Sequence, residues 1–488
     1  MPSHEYITTP TYHAKVLLRG TPEYERCPRN NPTADTPERF PREIHIVETP
    51  EDVSAALNRA ADLGVSAGIR GSGHLLSLPG LVDGGILIDT ANLNRYVDYD
   101  RQTHVISFGP PVRVEELAAK LVKLKRFFPH GHAPTVGSAG FLLAGGLGWF
   151  SRGWGATCQT WVQKMEIVTA DGQVVIASPT ENQDLWWAAR GSGLAFFGVV
   201  TRFWCYTTKA SNMWERTFRF IINHDNYETL MTWALERGRE TPKYGTDLAL
   251  TIDYPEKNDP AFTTDDVPPG SQLHLVLNLI CYSDTEMEAT TLLSAYDNSQ
   301  EDVRLWLLDM QPVQKRTFED VFIRKIAFWG NGKVDRWQMN GMLNDPAVPL
   351  PRLLEAIKPA MLDLPTRLSS VFITSCEVTP DEEDTVLSLP QDLYISTFTG
   401  WTDPTLEPAI YEPMRDRYKQ AFHVAMGMYI ADFDVGCDDA NNKVMTDTAL
   451  AKFLEIREKW DPKDLFPSYK KIVETHDRVN KLQNKALL

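Results

Sequence analysis

The sequence predicts an α+β protein built from two domains, and three observations support this fold class. Short strand-like and helix-like patterns alternate through the first 125 residues, with short connections between them. Glycine is concentrated between residues 131 and 148 and becomes sparse between about 208 and 420, where longer alternating and amphipathic segments take over. The chain has 488 residues, 43% of them hydrophobic and 23% charged, which is enough to bury a large core.

The first domain is predicted to follow a polar, Pro-rich arm or loop at residues 1–40. After a strand at 43–47, Thr49 and Pro50 mark a helix start, because a capping hydroxyl precedes proline at the first helical position. The other predicted elements of this layer are strands at 65–69, 85–89 and 104–108 and a helix at 114–122. From about residue 437, the sequence predicts one helix at 450–459 followed by a basic polar tail.

Composition and charge exclude several classes of function. A formal net charge of −16 repels phosphate backbones, so no nucleic-acid partner is expected. The six cysteines include no C-x-x-C pair, so no metal site is expected and buried free thiols are predicted. No run approaches 18 apolar residues, so no membrane span is expected.

The N-terminal residues lack the basic start and apolar stretch of a secretory signal. The sequence Asn31-Pro32-Thr33 carries the proline that blocks N-glycosylation. Both features favour a cytoplasmic protein, and a secreted one stays open if a signal peptide has been removed. The oligomeric state is left open.

Three Gly-rich stretches, at 70–74, 134–148 and 189–201, indicate a long ligand that lies against the backbone. Glycine lets backbone N–H groups approach a pyrophosphate closely. None of the three contains a complete G-x-G-x-x-G or P-loop pattern. Any one stretch alone favours an unrelated loop, whereas three in this order favour one extended cofactor.

Five motifs stand in a fixed order: Arg70-Gly71-Ser72-Gly73-His74; 84–89; Pro134-Thr135-Val136-Gly137 with Gly145-Gly146-Leu147-Gly148; 184–191; and 197–201. Together they resemble the FAD-binding domain of the vanillyl-alcohol-oxidase superfamily, and within it the berberine-bridge-enzyme-like branch. Residues 460–466 resemble the closing element of that family. The resemblance is strong over about 40–207 and loose in the middle of the chain.

The resemblance implies a PCMH-type FAD-binding domain over residues 1–207, with its core at 40–207. Two small sheets with helices would form it, and residues 437–488 would complete it. A substrate-binding domain over 208–436 would carry a large antiparallel sheet, covered by helices, that roofs the flavin ring.

The resemblance also implies that FAD is bound covalently, through a bond between the His74 imidazole and the flavin 8α-methyl group. A turn histidine without such a bond is the alternative. Many members carry a second bond through a cysteine where this chain has Ala133, so a single bond is expected. The residues expected to contact FAD are Arg70, Gly71, Ser72, Gly73, His74, Leu75, Pro134, Thr135, Val136, Gly137, Ser138, Gly140, Phe141, Gly145, Gly146, Gly148, Gly198, Val199 and Val200.

For catalysis, the resemblance places Val136 beside the reactive edge of the flavin, where a small side chain is associated with access of O₂. Tyr429 is the first choice for the catalytic base, because residues 428–432 resemble the family's Tyr-x-Asn strand, with Ala431 in place of Asn. Tyr394 is the second choice; it stands on a predicted strand whose alternation would put Tyr394 and Ser396 on one face and Thr397 on the other. Plain packing is the alternative for both tyrosines. Residues held in reserve, without a motif behind them, are Glu377, Asp432 and His423.

The implied function is that of an FAD-dependent oxidoreductase with a small-molecule substrate. As an oxidase, it would transfer a hydride from a C–H next to oxygen in an alcohol, a sugar or a secondary-metabolite hydroxyl to flavin N5. O₂ would then reoxidise the flavin and give H₂O₂. The alternatives are a dehydrogenase with another acceptor and a redox-silent flavin-binding protein of the same fold, and the sequence does not name the substrate.

Overall fold

The computed structural model of the chain describes residues 16–27, 38–297, 301–329, 334, 336–433, 443–466 and 469–486, with the backbone alone for 482–486. The described residues form an α+β fold, which confirms the predicted fold class. Its strands are β1 Val16–Leu18, β2 Glu43–Ile46, β3 Ala67–Arg70, β4 Ile86–Asp89, β5 Val97–Tyr99, β6 Val105–Phe108, β7 Arg126–Phe127, β8 Val162–Thr169, β9 Val174–Ala177, β10 Gly198–Tyr206, β11 Thr208–Lys209, β12 Asn212–Ile222, β13 Thr246–Asp253, β14 Leu273–Ser283, β15 Leu307–Arg316, β16 Arg336–Asn344, β17 Ser370–Ser375, β18 Leu393–Trp401 and β19 Ala425–Gly427. Its helices are α1 Pro22–Arg26, α2 Pro50–Leu63, α3 Val114–Leu124, α4 Ser138–Leu143, α5 Ser151–Trp154, α6 Thr157–Thr160, α7 Gln183–Ala189, α8 Tyr227–Glu240, α9 Glu286–Leu292, α10 Glu301–Arg304, α11 Phe318–Phe328, α12 Leu350–Leu362, α13 Glu407–Ala421, α14 Asp447–Trp460 and α15 Tyr469–Ala486.

The first part of the chain folds into two small sheets, with strand orders β1-β2-β4-β3 and β5-β6-β10-β8-β9. Helix α2 begins where the sequence predicts it, because Thr49 and Asp52 form a reciprocal capping box. Gly64, at φ +63°, ends the helix in the left-handed conformation that glycine adopts without strain. The short turn that follows leads into β3, so the glycine-rich stretch at 70–74 begins at the end of a strand.

The middle of the chain forms one eight-stranded sheet in the order β15-β12-β14-β13-β17-β18-β16-β19. Helices α8, α12 and α13 pack on one face over a shared apolar core. Strand β18 alternates as predicted. Its residues Ile395 and Thr397 point to the helices, and Tyr394 and Phe398 point to the opposite face. That opposite face is directed toward the glycine-rich stretches.

Two large cores correspond to these two halves. The first draws on residues 47–205 and 428–472, with Val386 from the middle of the chain, and the second draws on residues 214–425. The backbone N–H of Ala67 in β3 donates a 2.9 Å hydrogen bond to the carbonyl of Leu465, so the last part of the chain is joined to the first sheet. The domain boundaries at 207 and 437 stay a prediction, and residue 437 lies outside the described residues.

Three predictions of local structure are wrong. Within the predicted arm, β1 and α1 are ordered, because Leu17 and Tyr24 are buried and Thr21 caps the helix. The segment after α14 is a second helix, α15, rather than a polar tail, since Ile472 and Val479 turn one apolar side inward. The strand expected at 428–432 ends at Gly427, and a single 3-10 turn at Ile430–Asp432 follows.

Other expectations concern cysteine and membrane insertion. The five cysteines within the described residues are free and buried, as predicted, whereas Cys437 lies outside them. Within the same part of the chain, no helix combines the length and apolar character needed to cross a bilayer.

Candidate active site

A cavity of about 370 Å³ lies between the glycine-rich stretches and the free face of the large sheet. The turn after β3, helix α4 and the start of β10 form one side of it. Met339 of β16 and Phe398 of β18 form the other side, together with Trp329 and the 3-10 turn at Ile430–Asp432. The cavity is thus bounded by the glycine-rich stretches of the first half on one side and by the large sheet on the other.

Two of the glycine-rich stretches are bonded directly to each other. The Ser72 hydroxyl accepts a 3.1 Å hydrogen bond from the backbone N–H of Gly137. A Cβ at Gly137 would lie 2.7 Å from the Ser72 Oγ, so only glycine permits this approach. Behind this contact, the Arg70 guanidinium pairs with Asp89 at 2.5 Å and fixes the end of β3 against β4.

The residues present fit an extended dinucleotide such as FAD. Gly71 and Gly140 both line the cavity, and a Cβ built on either would meet no protein atom within 4 Å. Packing within the protein therefore does not require glycine at these two positions. A ligand that approaches the backbone closely does require it, because a side chain there would fill its space.

The His74 imidazole lies at the end of the first stretch and lines the cavity. Its Nε2 lies 3.1 Å from the hydroxyl of Thr135, and its ring meets Trp329 edge-on at 6.2 Å between centroids. Burial, reinforced by the positive charge of Arg113, lowers the pKa of His74 to about 4. The imidazole is therefore neutral at pH 7, which is the form that acts as a nucleophile.

The structure separates the expected FAD residues into two groups. Those that line the cavity are Arg70, Gly71, Ser72, Gly73, His74, Leu75, Val136, Gly137, Gly140, Phe141, Gly198, Val199 and Val200. Those that lie behind its wall are Pro134, Thr135, Ser138, Gly145, Gly146 and Gly148. The second group supports the first: the Ser138 hydroxyl, for example, donates to the carbonyl of Val112 at 2.6 Å and anchors the start of α4. The contacts of these residues with FAD stay a prediction.

Tyr429 lines the cavity, but its hydroxyl is already engaged. It accepts hydrogen bonds from the backbone N–H groups of Gly146 and Leu147. Burial raises the pKa of Tyr429 despite these donors. The positive charge that would stabilise a phenolate is not among the groups that shift this pKa.

Asp432, one of the reserve residues, also lines the cavity. The Tyr394 hydroxyl donates a hydrogen bond to its carboxylate, and Tyr394 itself stands behind the cavity wall. The Asp432 Oδ2 has no hydrogen-bond partner among the described residues. Gly341 makes room for it, since a Cβ there would lie 2.6 Å from that oxygen. Burial raises the pKa of Asp432 to about 7, against the lowering effect of the Tyr394 hydrogen bond.

The other two reserve residues, Glu377 and His423, lie outside the cavity lining. The Glu377 carboxylate forms ion pairs with Arg152 at 2.8 Å and with Lys243 at 2.5 Å. His423 is exposed, and its Nδ1 lies 2.9 Å from the carbonyl of Gln420. Neither residue is among those that line the cavity.

Sequence reasoning did not identify the apolar residues of the sheet side, among them Trp329, Met339 and Phe398. The available signal was the alternation of β18, which puts Phe398 on the same face as Tyr394. Met339 is paired with Phe398 across β16 and β18, so the register of the two strands brings it to the same place.

Comparisons with known proteins agree with this geometry. Residues 41–178 match a family described as an FAD binding domain. FAD-linked oxidoreductase nodO from Hypoxylon pulicicidum is 35% identical over 224 residues, which cover 45% of this chain and 49% of the relative. Xylooligosaccharide oxidase from Thermothelomyces thermophilus is 34% identical over 225 residues, which cover 46% of this chain and 43% of the relative. The match thus spans about half the length of these curated relatives.

The similarity in fold covers more of the chain than the similarity in sequence does. The solved structure of wild-type BBE-like 1 from Physcomitrella patens superimposes with a TM-score of 0.72 at 19% identity, covering 93% of this chain and 96% of that chain. The resemblance inferred from the five motifs is confirmed for its cofactor domain and its fold: the chain carries an FAD binding domain, and its overall fold is shared with BBE-like 1 of Physcomitrella patens.

Proposed function

We propose that the protein is an FAD-dependent oxidase of a small molecule, in which Asp432 accepts the proton that the substrate loses. When bound, FAD would supply the oxidising chemistry, the acceptance of a hydride from a C–H next to oxygen followed by reoxidation with O₂ and release of H₂O₂. The FAD binding domain and the relatives named as oxidoreductase and oxidase support this class of reaction.

The observation that carries the proposal is the environment of the Asp432 carboxylate. A neutral alcohol cannot lose a hydride alone, because a protonated carbonyl, a very strong acid, would remain. A base within reach of the hydroxyl removes that obstacle, and it works best when its pKa lies near the working pH. Asp432 fits these requirements best among the described residues, since it lines the cavity, its pKa is about 7, and its buried Oδ2 has no hydrogen-bond partner there.

Tyr394 acts in this proposal as a positioning residue. Its hydroxyl donates a hydrogen bond to the Asp432 carboxylate and holds it in place, while Oδ2 has no hydrogen-bond partner among the described residues. Tyr429, the first choice from the sequence, remains the competing candidate. Its raised pKa and its bonds to the backbone N–H groups of Gly146 and Leu147 favour a role in shaping the cavity instead.

Two further features belong to the same proposal. We assign to His74 the single covalent bond to FAD, supported by its neutral imidazole and by the hydroxyl of Thr135, which orients the ring. We assign to Val136 the control of O₂ access, supported by its half-buried place in the cavity wall. Ala133 leaves no thiol for a second bond at the position expected from the resemblance.

Stopped-flow reduction of the flavin tests the choice of base. Asp432→Asn keeps the shape and removes the proton acceptor, so reduction by a good substrate should slow at least about a hundredfold with FAD still bound. Tyr429→Phe, the matched variant, should change the rate far less. The reverse order would assign the base to Tyr429. Mixing the reduced protein with air then separates the classes: reoxidation within seconds supports an oxidase, and a flavin that stays reduced for minutes supports a dehydrogenase.

A further inference from the structure

A second cavity, also of about 370 Å³, lies on the same face of the large sheet. Strands β12, β13 and β14 form its floor, and helix α11 lies over it. His132 lines both cavities, and the neighbours Phe328 and Trp329 line the second and the first respectively. The two spaces are therefore adjacent.

The acidic side chains of the second cavity are already paired. Glu215 is bound by Arg316 at 3.0 Å and also by Arg324. Asp247 is bound by His132 at 3.0 Å and by the backbone N–H of Phe150 at 3.0 Å. Asp253 is bound by Ser370 at 3.5 Å, and it is attracted by Lys257, whose ammonium group also bonds to Ser370. Each negative charge thus has a compensating partner.

Several basic and polar side chains of the same cavity have no hydrogen-bond partner among the described residues. They are Arg219, His274, Asn278 and Lys325. The Lys325 ammonium lies 4.7 Å from the centre of the Phe372 ring, and Asp247 attracts it without a hydrogen bond. Burial and the nearby Arg219 lower the pKa of His274, so its imidazole is neutral and offers a hydrogen bond rather than a charge.

The lining carries a net positive charge, with Arg219 and Arg324 at its exposed part and Lys325 deeper. The lining holds four cations (Arg219, Lys257, Arg324 and Lys325) against three acids, and Arg316 binds one of those acids from outside the lining. Burial lowers the pKa of Lys325 to about 8, which shows that its charge is costly where it stands. A bound anion with several acceptor oxygens would remove that cost by forming charge-assisted hydrogen bonds.

We propose that the second cavity binds a compact oxyanion, a carboxylate or a phosphate, carried by the small-molecule substrate, with Lys325 and Arg219 as its charged partners. This inference rests on the proposed function, because the shared residue His132 puts the second cavity next to the one that would hold the oxidised end of the substrate. The substrate class is thereby narrowed to hydroxy acids or phosphate esters.

Calorimetric titration of the FAD-loaded protein with inorganic phosphate tests the site without any turnover. Lys325→Met and Arg219→Gln should each weaken phosphate binding about tenfold or more, the loss of one charge-assisted hydrogen bond. Lys123→Met removes the same charge from an exposed position of α3 and should leave the affinity unchanged. Retained flavin absorbance and an unchanged melting temperature would show that each variant is folded.

Competition with the substrate tests whether the bound anion is part of the substrate or a free ion. Phosphate should raise the apparent KM for flavin reduction and leave the limiting rate unchanged. Phosphate that binds without competing would assign the site to a free ion and overturn this placement. Absence of phosphate binding to the wild type at millimolar concentrations, or equal binding by Lys325→Met, would overturn the site itself. A protein that binds phosphate through Lys325 but never reduces its flavin would contradict the proposed function alone.

Discussion

In the proposed mechanism, burial makes the Asp432 carboxylate a proton acceptor suited to neutral pH. An unburied aspartate, with a pKa of about 3.9, would be ionised but too weak a base to help. The space left by Gly341 and the hydrogen bond from Tyr394 hold the carboxylate in place, with Oδ2 buried and without a hydrogen-bond partner among the described residues.

A pH profile follows from this environment. Because only the ionised carboxylate accepts a proton, the rate of flavin reduction should rise about tenfold per pH unit below pH 7 and level off above it. Asp432→Asn should abolish this step and leave a flat, slow profile. The measurement is the limiting reduction rate between pH 5 and 9, values within about two units of that pKa. A wild-type profile that rises only near the pKa of a tyrosine would assign the step to Tyr429.

The bond to His74 is tested by acid denaturation. Yellow flavin should remain with the precipitated protein, and His74→Ala should release it. Peptide mapping should then find one flavin-bearing peptide, the one that contains His74, because Ala133 offers no thiol. Free FAD in the wild-type supernatant would contradict the covalent bond. A flavin adduct on a cysteine would contradict the expectation of a single covalent bond.

The elements around the cavity depend on how closely their backbones approach. The turn after β3 and the start of α4 are in contact through the Ser72 hydroxyl and the Gly137 N–H, with no room for another atom. The glycine at position 71 has a different reason to be there, because the space above it is open. Two glycines of the same wall thus serve different purposes, one for protein packing and one for the ligand.

This difference is measurable in the His74→Ala background, from which FAD can be removed. Gly137→Ala should lower the free energy of unfolding of the FAD-free protein by about 1–3 kcal/mol, the usual cost of overpacking. Gly71→Ala should leave that stability nearly unchanged and weaken FAD binding instead. Urea unfolding and FAD titration measure the two effects. Equal loss of stability in both variants would contradict the assignment of Gly71 to the ligand.

Local signals in the sequence were sufficient for strands β2, β3, β4 and β6 of the first sheets and insufficient for the base. Thr49 with Pro50 predicted the start of α2, since a helix cap depends only on residues within one turn. The alternation in β18 predicted which residues share a face. The choice between Tyr429 and Asp432 depends on contacts with Gly341 and Leu147, which lie far away in the chain, so no local pattern carries it.

At the scale of the whole molecule, a buried ion pair joins the two halves around the cavity. Arg152 of α5 lies in the first half, and Glu377 follows β17 of the large sheet. The Arg152 side chain has no exposed surface, and it also donates to the carbonyl of Gly238 at 2.9 Å. The pair therefore contributes to the orientation of the large sheet over the FAD binding domain.

Removal of one partner should leave a buried charge without compensation. Glu377→Ala should lower the free energy of unfolding by about 3–5 kcal/mol, the range for a broken buried pair. Glu23→Ala, which breaks an exposed pair with Arg26, should cost less than about 1 kcal/mol. Urea unfolding of both variants measures the difference. A loss for Glu377→Ala as small as that for Glu23→Ala would show that Arg152 finds other partners.

The hydrogen bond between Ala67 and Leu465 has a consequence for the time course of synthesis. Leu465 leaves the ribosome 398 residues after Ala67, which at about 5–20 residues per second means a delay of roughly 20 to 80 s. Throughout that interval the first core lacks Phe453, Leu465 and Ile472. The apolar surface they cover stays open to chaperones and to other nascent chains, so the half of the protein that is made first is among the last to be closed.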